Sequence, residues 1–465
     1  MKYSVITFGC RVNQADSLGI EEDLLAAGAV SSPPQDADLV VVNTCSVTAT
    51  ADQGARQTIR RLARDNPDAR IVVTGCYATR RPDEIAALPN VARVVANDDK
   101  PRLMSLLRGV RLQPDRDETA EQADHAEPSA FSADSAVSSR VDGDGPCGAA
   151  IVPGVAGRTA FTLRVQTGCA EPCSYCIIPA TRGTPRSTPV DEVLREVDRV
   201  AAAGFKEIAL TGVHLGSYGR DLSPSSSLVE LLRSLDRALM RGARLQPDPH
   251  RVPDVAQGFS PAPRDILFRI SSLEPMDCTR EIVDLVASSD RFAPHFHLPL
   301  QHASDRLLAL MRRPYAIAEY SSLVNHVRAR MPHASIGSDI IVGFPGETDE
   351  DFGQLAEYLE RSPLTHIHVF PYSDRPGTPA SALGGRASGL VVRERGRRIR
   401  EIGQRLTHRF RASQLGTTHR ALTLEDGSLA VTGNYLKVRI PPGRPRNEWV
   451  RVRVTSHDVG ELLRG

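Results

Sequence analysis

Three cysteines in the middle of the chain have the spacing of an iron–sulfur cluster loop. Cys169, Cys173 and Cys176 are separated by three and then two residues. Three thiolates can bind three irons of a [4Fe–4S] cube and leave the fourth iron without a protein ligand. That iron is then open to a small molecule. The spacing therefore predicts chemistry at an open iron rather than electron storage alone.

Two other uses of clustered cysteines remain open but fit less well. A structural zinc ion usually has four protein ligands, and no Cys or His occurs in the ten residues after Cys176. A disulfide is expected mainly in secreted proteins, and the N-terminal sequence shows no secretory signal. We therefore expect a cytoplasmic protein without a membrane span, in which clustered cysteines do metal or redox chemistry.

Three further cysteines each follow a predicted strand near the N-terminus. Cys10, Cys45 and Cys76 come directly after the first three apolar strand patterns, which alternate with amphipathic helix patterns. This alternation predicts a parallel, Rossmann-like α/β sheet, whose strand carboxyl ends line one crevice. We expect the three thiols to converge there and hold a second iron–sulfur cluster. Three unrelated buried cysteines are the alternative.

The patterns divide the chain into an N-terminal α/β domain and a barrel. Residues 1–110 form the first, and six βα units in residues 158–385 predict a partial barrel with its site at the carboxyl ends of the strands. Between them, residues 111–157 are acidic and aperiodic, which is typical of a disordered linker. Residues 241–264 are rich in Pro and Arg and predict an insertion in the barrel.

The C-terminal part is strongly basic although the whole chain has a net charge of +1. Residues 386–465 contain 17 Lys and Arg against 7 Asp and Glu, which predicts a polyanionic partner. A compositional preference for Arg is the alternative, since only four of the 57 basic residues are Lys. An Arg-rich helix is predicted at 386–413, and alternating strands predict a small β-barrel at 414–465.

These motifs resemble those of the methylthiotransferases, a branch of the radical S-adenosylmethionine (SAM) superfamily. The C-terminal barrel also resembles a TRAM domain, a small RNA-binding module, through TGNYLKV at 432–438. Besides the Cys169 loop, the resemblance depends on GCRVNQ at 9–14, NTCSVT at 43–48, TGCY at 74–77, VGFPGET at 342–348 and FPYSDRPGT at 370–378.

The resemblance implies two [4Fe–4S] clusters and SAM as cofactors. SAM at the open iron of the Cys169 cluster would yield a 5′-deoxyadenosyl radical that takes hydrogen from a substrate C–H bond. The cluster held by Cys10, Cys45 and Cys76 would supply a methylated sulfur. The ring of Tyr175 would lie against the adenine of SAM. Further SAM contacts are implied, with strand-end caps as the alternative, for Gly212, His214, Glu274, Gln301 and Asp339.

Three substrates are implied by the family: tRNA bearing threonylcarbamoyladenosine, tRNA bearing isopentenyladenosine, and an aspartate of a ribosomal protein. The segments CRVNQ at 10–14, IIPATRGTPRS at 177–187 and LGSYG at 215–219 are typical of the first branch. They predict methylthio transfer to C2 of the modified adenosine 3′ of the anticodon. The implied partners are the tRNA anticodon loop and an electron donor such as flavodoxin or ferredoxin.

Two arginines beside the cluster loop, Arg182 and Arg186, are candidate substrate contacts or ordinary surface residues. A function of a different class also stays open at this point. The chain could be an iron–sulfur RNA-binding protein without turnover, whose clusters stabilise the fold. Structural clusters, however, usually have protein ligands on every iron.

Overall fold

The computed structural model describes residues 1–107, 159–242 and 265–463. The predicted linker at 111–157, which contains Cys147, lies outside the described residues. The insertion predicted at 241–264 also lies outside them, apart from its first two residues, which end a helix.

The N-terminal part is a five-stranded, all-parallel sheet in the order β2-β1-β3-β4-β5. Its central strand β3 is buried along its whole length, because alternate residues pack on two separate apolar clusters, one on each face. This confirms the predicted parallel α/β sheet. The elements are β1 (Lys2–Thr7), α1 (Arg11–Ala26), β2 (Val30–Ser31), β3 (Leu39–Thr44), α2 (Ala49–Asp65), β4 (Arg70–Gly75), α3 (Cys76–Arg80), α4 (Pro82–Ala86), β5 (Val91–Val95) and α5 (Leu103–Leu107).

The middle part is a partial barrel of βα units. Its elements are β6 (Phe161–Arg164), β7 (Gln166–Thr167), α6 (Ile178–Arg182), β8 (Arg186–Ser187), α7 (Val190–Ala202), β9 (Glu207–Thr211), α8 (Leu228–Gly242), β10 (Leu267–Ile270), α9 (Arg280–Ser288), β11 (His295–His297), α10 (Asp305–Leu310), α11 (Ile317–Arg330), β12 (Ser335–Val342), α12 (Asp349–Arg361) and β13 (His366–Pro371).

Six parallel strands of this part lie side by side in chain order, as predicted. They form two three-stranded sheets, β6-β9-β10 and β11-β12-β13, and a bridge between Phe268 and Phe292 links the first sheet to the chain that enters β11. The fourth of these strands, β11, is short and ends two residues before Pro299. Pro299 has no N–H to donate, and ladder contact resumes only as a single bridge between Gln301 and Ile340.

The C-terminal part begins with the Arg-rich helix α13 and ends in a curled antiparallel sheet. The sheet order is β16-β15-β14-β17-β18, and a bridge between Arg439 and Val459 brings its two edges together, as in the small barrel that was predicted. The elements are α13 (Gly389–Ser413), β14 (Thr418–Leu424), β15 (Leu429–Thr432), β16 (Lys437–Arg439), β17 (Trp449–Val454) and β18 (Gly460–Leu462).

The small sheet packs on the loops at the amino ends of the barrel strands. Asn434 Nδ2 donates to His333 O at 2.8 Å, just before β12, and Trp449 Nε1 donates to Asp265 O at 3.1 Å, just before β10. The C-terminal part therefore forms a floor under the barrel. The carboxyl ends of the strands lie on the opposite side of the barrel. They carry the cysteine loop and surround the candidate site.

Candidate functional site

The Cys169 loop follows β7, and backbone hydrogen bonds fix its shape. Cys169 N donates to Gly183 O at 3.0 Å, and Cys176 N donates to Cys173 O at 3.2 Å. All three cysteines are free and half-buried. The loop thus presents three thiols from one compact turn, at the carboxyl end of the first barrel strand, as the sequence predicted.

Burial makes these thiols poor thiolates without a bound cation. It raises the pKa of Cys169 to about 11 and that of Cys176 to about 12. Burial also raises the pKa of Cys173, but here Arg313 opposes it, because Arg313 Nη1 donates to Cys173 Sγ at 3.2 Å. Iron binds the thiolate, so cluster binding must release protons from this loop.

A cluster and a single metal ion place different demands on three thiols. Within residues 1–107, 159–242 and 265–463, no group of three or more His, Cys, Asp or Glu side chains could hold a metal ion. In a cube each thiolate binds its own iron, so three thiols need not meet at one atom. The seven described cysteines are all free, so the structure gives no support to the disulfide alternative.

Arg313 is expected to support cluster assembly in this loop. In an Arg313→Met variant, Cys173 loses its cationic neighbour and Glu274 its ion-pair partner, so the trio should bind iron more weakly, and the deficit should grow as pH falls. The measurement is iron content per chain after anaerobic reconstitution at two pH values. The neighbouring exposed residue gives a matched control, Arg312→Met, which should reconstitute like the wild type. Equal iron content in both variants would contradict the role.

Four of the predicted SAM-contacting residues lie at carboxyl ends of barrel strands around this loop. His214 is buried, and its Nε2 lies 2.8 Å from Asp277 Oδ2, while its backbone N donates to the Gln166 side chain. Glu274 pairs with Arg313. Gly212 lies beside Gln166, and the backbone N of Gln301 donates to Asp339 O. Contact of these four residues with SAM stays a prediction.

The other two predicted SAM contacts have protein partners of their own. The ring of Tyr175 packs edge-on against Phe344, with centroids 6.4 Å apart. Asp339 lies in the middle of β12 rather than in the loop after it, and its carboxylate is 3.0 Å from His297 Nε2. Their roles toward SAM also remain predictions.

The second trio converges at the carboxyl ends of β1, β3 and β4. Gly9 is essential to this approach: a Cβ added there would lie 2.6 Å from Cys45 Cβ, and its φ of +96° favours glycine. Burial, with the neighbouring thiols of Cys76 and Cys10, raises the pKa of Cys45 to about 11. The structure therefore brings together the three cysteines that the strand ends predicted.

A buried ion network joins the two cysteine loops. Asp16 on α1 binds Lys100 Nζ at 2.6 Å and Arg182 Nη1 at 3.0 Å, and it also contacts Arg164. Burial alone would raise the pKa of Asp16, but the three cations outweigh it and lower that pKa to about 2. A carboxylate of the N-terminal part is thus held by Lys100 from the same part and by two cations from the barrel, Arg164 and Arg182.

The sequence left Arg182 open as a substrate contact or a surface residue, and the structure fits neither. Its side chain is buried, pairs with Asp16 and contacts Asn13 in the first turn of α1, so it is not free to contact an external ligand. Burial opposes its charge, but Asp16 and the thiols of Cys76 and Cys10 outweigh this and raise the pKa of the guanidinium. Arg182 therefore positions the two loops.

One further link between the loops was missed from the sequence. Asn97 Nδ2 donates to Thr181 O at 2.8 Å and lies 3.6 Å from Cys76 Sγ. Thr181 is on α6, the short helix after Cys176. Asn97 thus joins the thiol of Cys76 to the helix that follows the Cys169 loop, at the boundary between the N-terminal sheet and the barrel.

Comparison with known proteins assigns the family. Residues 2–97 match a family model described as uncharacterized protein family UPF0004, and residues 163–359 match the radical SAM superfamily. A threonylcarbamoyladenosine tRNA methylthiotransferase, MtaB, from Aquifex aeolicus is 34% identical over 98% of this chain and 100% of its own length. The chain belongs to the radical SAM methylthiotransferase family. The protein of the same name from Bacillus subtilis is 32% identical over 98% of each chain.

A synthase that acts on a different modified adenosine and a solved structure are also similar to this chain. A tRNA-2-methylthio-N(6)-dimethylallyladenosine synthase from Streptomyces viridosporus is 30% identical over 95% of this chain and 80% of its own. The solved structure of the radical SAM methyltransferase TsrM from Kitasatospora setae has a TM-score of 0.53 at 16% identity, over 82% of this chain and 74% of that one. At this identity the likeness shows the fold alone.

Membership of the radical SAM methylthiotransferase family confirms the predicted cofactor classes. Its members are enzymes that use an iron–sulfur cluster and SAM. It also argues against the non-catalytic alternative. Among the described residues, no helix is long and apolar enough to cross a membrane.

Proposed function

We propose that the protein transfers a methylthio group to C2 of N6-threonylcarbamoyladenosine, 3′-adjacent to the anticodon of tRNA, using two iron–sulfur clusters. The observation that carries the proposal is the pair of cysteine trios held at one boundary by Asp16, Arg182 and Asn97. One trio alone suits radical formation, whereas a second trio beside it suits delivery of sulfur. Similarity to MtaB over nearly the whole chain supports this substrate.

Each cysteine trio has a separate role in the proposed reaction. Cys169, Cys173 and Cys176 would hold one cluster, and SAM bound there would supply a carbon-centred radical. Arg313 donates to Cys173 and pairs with Glu274 at the same site. Cys10, Cys45 and Cys76 would hold the cluster that supplies sulfur, and the buried Asp16 network joins the N-terminal part that carries them to the barrel. SAM is contacted by Tyr175, Gly212, His214, Glu274, Gln301 and Asp339.

The C-terminal part serves RNA binding in this proposal. In β17 the valines face the apolar core, whereas Arg451 and Arg453 are exposed, so the outer face of the small barrel offers cations to phosphates. We assign residues 1–110 to the methylthiotransferase domain and 158–385 to the radical SAM barrel. The Arg-rich helix at 386–413 connects this barrel to a TRAM-like domain at 414–465. The enzyme works in the cytoplasm with flavodoxin or ferredoxin as electron donor.

A second candidate substrate is tRNA bearing isopentenyladenosine. It is favoured by the Streptomyces synthase, which matches 95% of this chain at 30% identity. The two substrates differ in the group on N6: one is polar and carries a carboxylate, and the other is an apolar hydrocarbon.

Nucleoside analysis of tRNA distinguishes the two candidates. We expect expression of the full chain, in a bacterial strain lacking its own methylthio-threonylcarbamoyladenosine enzyme, to convert threonylcarbamoyladenosine in tRNA into its methylthio form, measured by liquid chromatography and mass spectrometry. The Cys169→Ala variant is the inactive control. Conversion of isopentenyladenosine instead would identify the second substrate as correct.

A further inference from the structure

Four histidines line the inner face of the barrel wall formed by β11, β12 and β13. His295 and His297 lie two positions apart on β11, as do His366 and His368 on β13, so each pair shares one face of its strand. The ring centroids of neighbouring histidines are 5.6–6.2 Å apart. The opposite face of the same strands carries apolar residues of the main core. The four rings, here called the histidine wall, therefore face the barrel lumen rather than the surrounding helices.

The histidine wall requires a glycine between its two strands. Gly337 on β12 pairs with His297 on one side and His366 on the other. A Cβ added at Gly337 would lie 2.1 Å from His366 Nε2 and 2.9 Å from His297 Nδ1. The imidazole nitrogens thus converge over this glycine, where only a residue without a side chain leaves room.

The lumen beside the histidine wall joins all three parts of the chain. Tyr435, from the C-terminal barrel, lies with its ring 4.9 Å from that of His295 and under the guanidinium of Arg269. Arg11, the residue after Cys10, donates to Tyr435 Oη at 3.4 Å. His295 is therefore linked through Tyr435 and Arg11 to the residue that follows Cys10.

The carboxylates of this lumen already have partners. Glu207 accepts from Arg269 Nε at 2.8 Å, and Asp339 lies 3.0 Å from His297 Nε2. By contrast, His295 is 94% buried and its Nδ1 has no hydrogen-bond partner. A buried polar atom of this kind is costly unless a ligand or water satisfies it.

Burial favours the neutral form of two rings of the wall, His295 and His366. Burial, with His297 and His368 nearby, lowers the pKa of His366 to about 4, and burial likewise lowers that of His295. A neutral imidazole has one N–H donor and one acceptor nitrogen, and Arg11 adds guanidinium donors. The lumen therefore offers several hydrogen-bond donors, and the guanidinium of Arg11 supplies a cation for an anionic ligand.

We propose that the histidine wall binds the carboxylate- and hydroxyl-bearing group on N6 of the modified adenosine, and that it selects this substrate over one with an apolar group. The inference rests on the proposed function and names the residues that would recognise the N6 group of the substrate. An anionic, hydroxylated ligand satisfies the donors of the wall and of Arg11. An apolar ligand would bury them unpaired, and sites built for hydrogen bonding strongly reject analogues that lack the polar group.

The test compares binding of two RNA probes to the reconstituted full chain. The probes are the same anticodon stem-loop with threonylcarbamoyladenosine or with unmodified adenosine, measured by fluorescence anisotropy. We expect His366→Phe to weaken binding of the threonylcarbamoyl probe roughly tenfold to a hundredfold, with binding of the unmodified probe unchanged. The control His326→Leu, on α11 outside the lumen, should bind both probes like the wild type.

The second variant is His368→Gln, because His368 is the most exposed ring of the wall and its replacement spares the packing. Unchanged discrimination between the probes in both variants, with a wild type that converts threonylcarbamoyladenosine, would overturn the inference and leave the proposed function standing. A wild type that converts only isopentenyladenosine would overturn both. Loss of discrimination in either folded variant supports the inference.

Discussion

Replacing Cys45 with Ala should abolish methylthio transfer and leave SAM cleavage in place, whereas Cys169→Ala should abolish both. The two residues belong to separate trios on separate elements, Cys45 after β3 and Cys169 after β7. Radical formation requires only the loop with the open iron. Sulfur delivery requires the N-terminal trio in addition.

Three measurements on anaerobically reconstituted protein check this separation. The wild type should contain about eight iron atoms per chain and each variant about four. The Cys45 variant should still produce 5′-deoxyadenosine but no methylthio nucleoside, and the Cys169 variant should produce neither. Cys278→Ala is the matched control, since Cys278 is a free, buried cysteine outside both trios and should leave all three quantities unchanged. Methylthio product from the Cys45 variant would refute the two-cluster assignment.

Removing the charge of Asp16 should destabilise the protein by about 3–5 kcal/mol, because it leaves buried cations without their counter-ion. Asp16→Asn keeps the shape of the side chain, but Lys100 and Arg182 lose their common partner. We also expect methylthio transfer to fall more than SAM cleavage, because the network holds one cysteine loop against the other.

An exposed ion pair at the same boundary provides the control. Asp98 binds Arg186 at 2.7 Å, and both side chains are at least half exposed, so Asp98→Asn should change stability by less than about 0.5 kcal/mol. The measurement is anaerobic thermal unfolding of the reconstituted full chain. Equal transitions for the two variants would contradict the structural role of Asp16.

The sign of the pH dependence of stability follows from the lowered pKa of Asp16. A carboxylate whose folded pKa is about 2, below its ordinary value of 3.8, stabilises the fold fully above that ordinary value. The contribution is lost as pH falls toward 2. The Asn variant should therefore lose less stability than the wild type over this acidic range.

The sequence predicted the parts of the site that local patterns determine. Strand β3 begins with four apolar residues, Leu39 to Val42, and ends at Thr44, directly before Cys45, so both the strand and the position of the thiol could be predicted. The Cys169 loop is defined by its own spacing. The partial barrel followed from six strand patterns in alternation with helices.

Contacts between residues far apart in the chain could not be predicted in this way. The sequence left Arg182 as a substrate contact or a surface residue, because its partner Asp16 lies 166 positions away. Arg313 reaches Cys173 across 140 positions. In such cases burial and pairing depend on how two domains pack, which no local pattern shows.

The histidine wall did leave a local signal that was not used. His295 and His297 are two residues apart, as are His366 and His368, which is the spacing of one face of a strand. Only the register of β11, β12 and β13 shows that both pairs share the lumen.

The most direct test of the function is one anaerobic reaction with two substrates. The reconstituted full chain, with SAM and a reductant, would receive equal amounts of tRNA bearing threonylcarbamoyladenosine and tRNA bearing isopentenyladenosine. Mass spectrometry of the digested nucleosides should show the methylthio form of threonylcarbamoyladenosine, accompanied by 5′-deoxyadenosine. A methylthio group on isopentenyladenosine alone, or 5′-deoxyadenosine with no methylthio nucleoside, would contradict the proposed function.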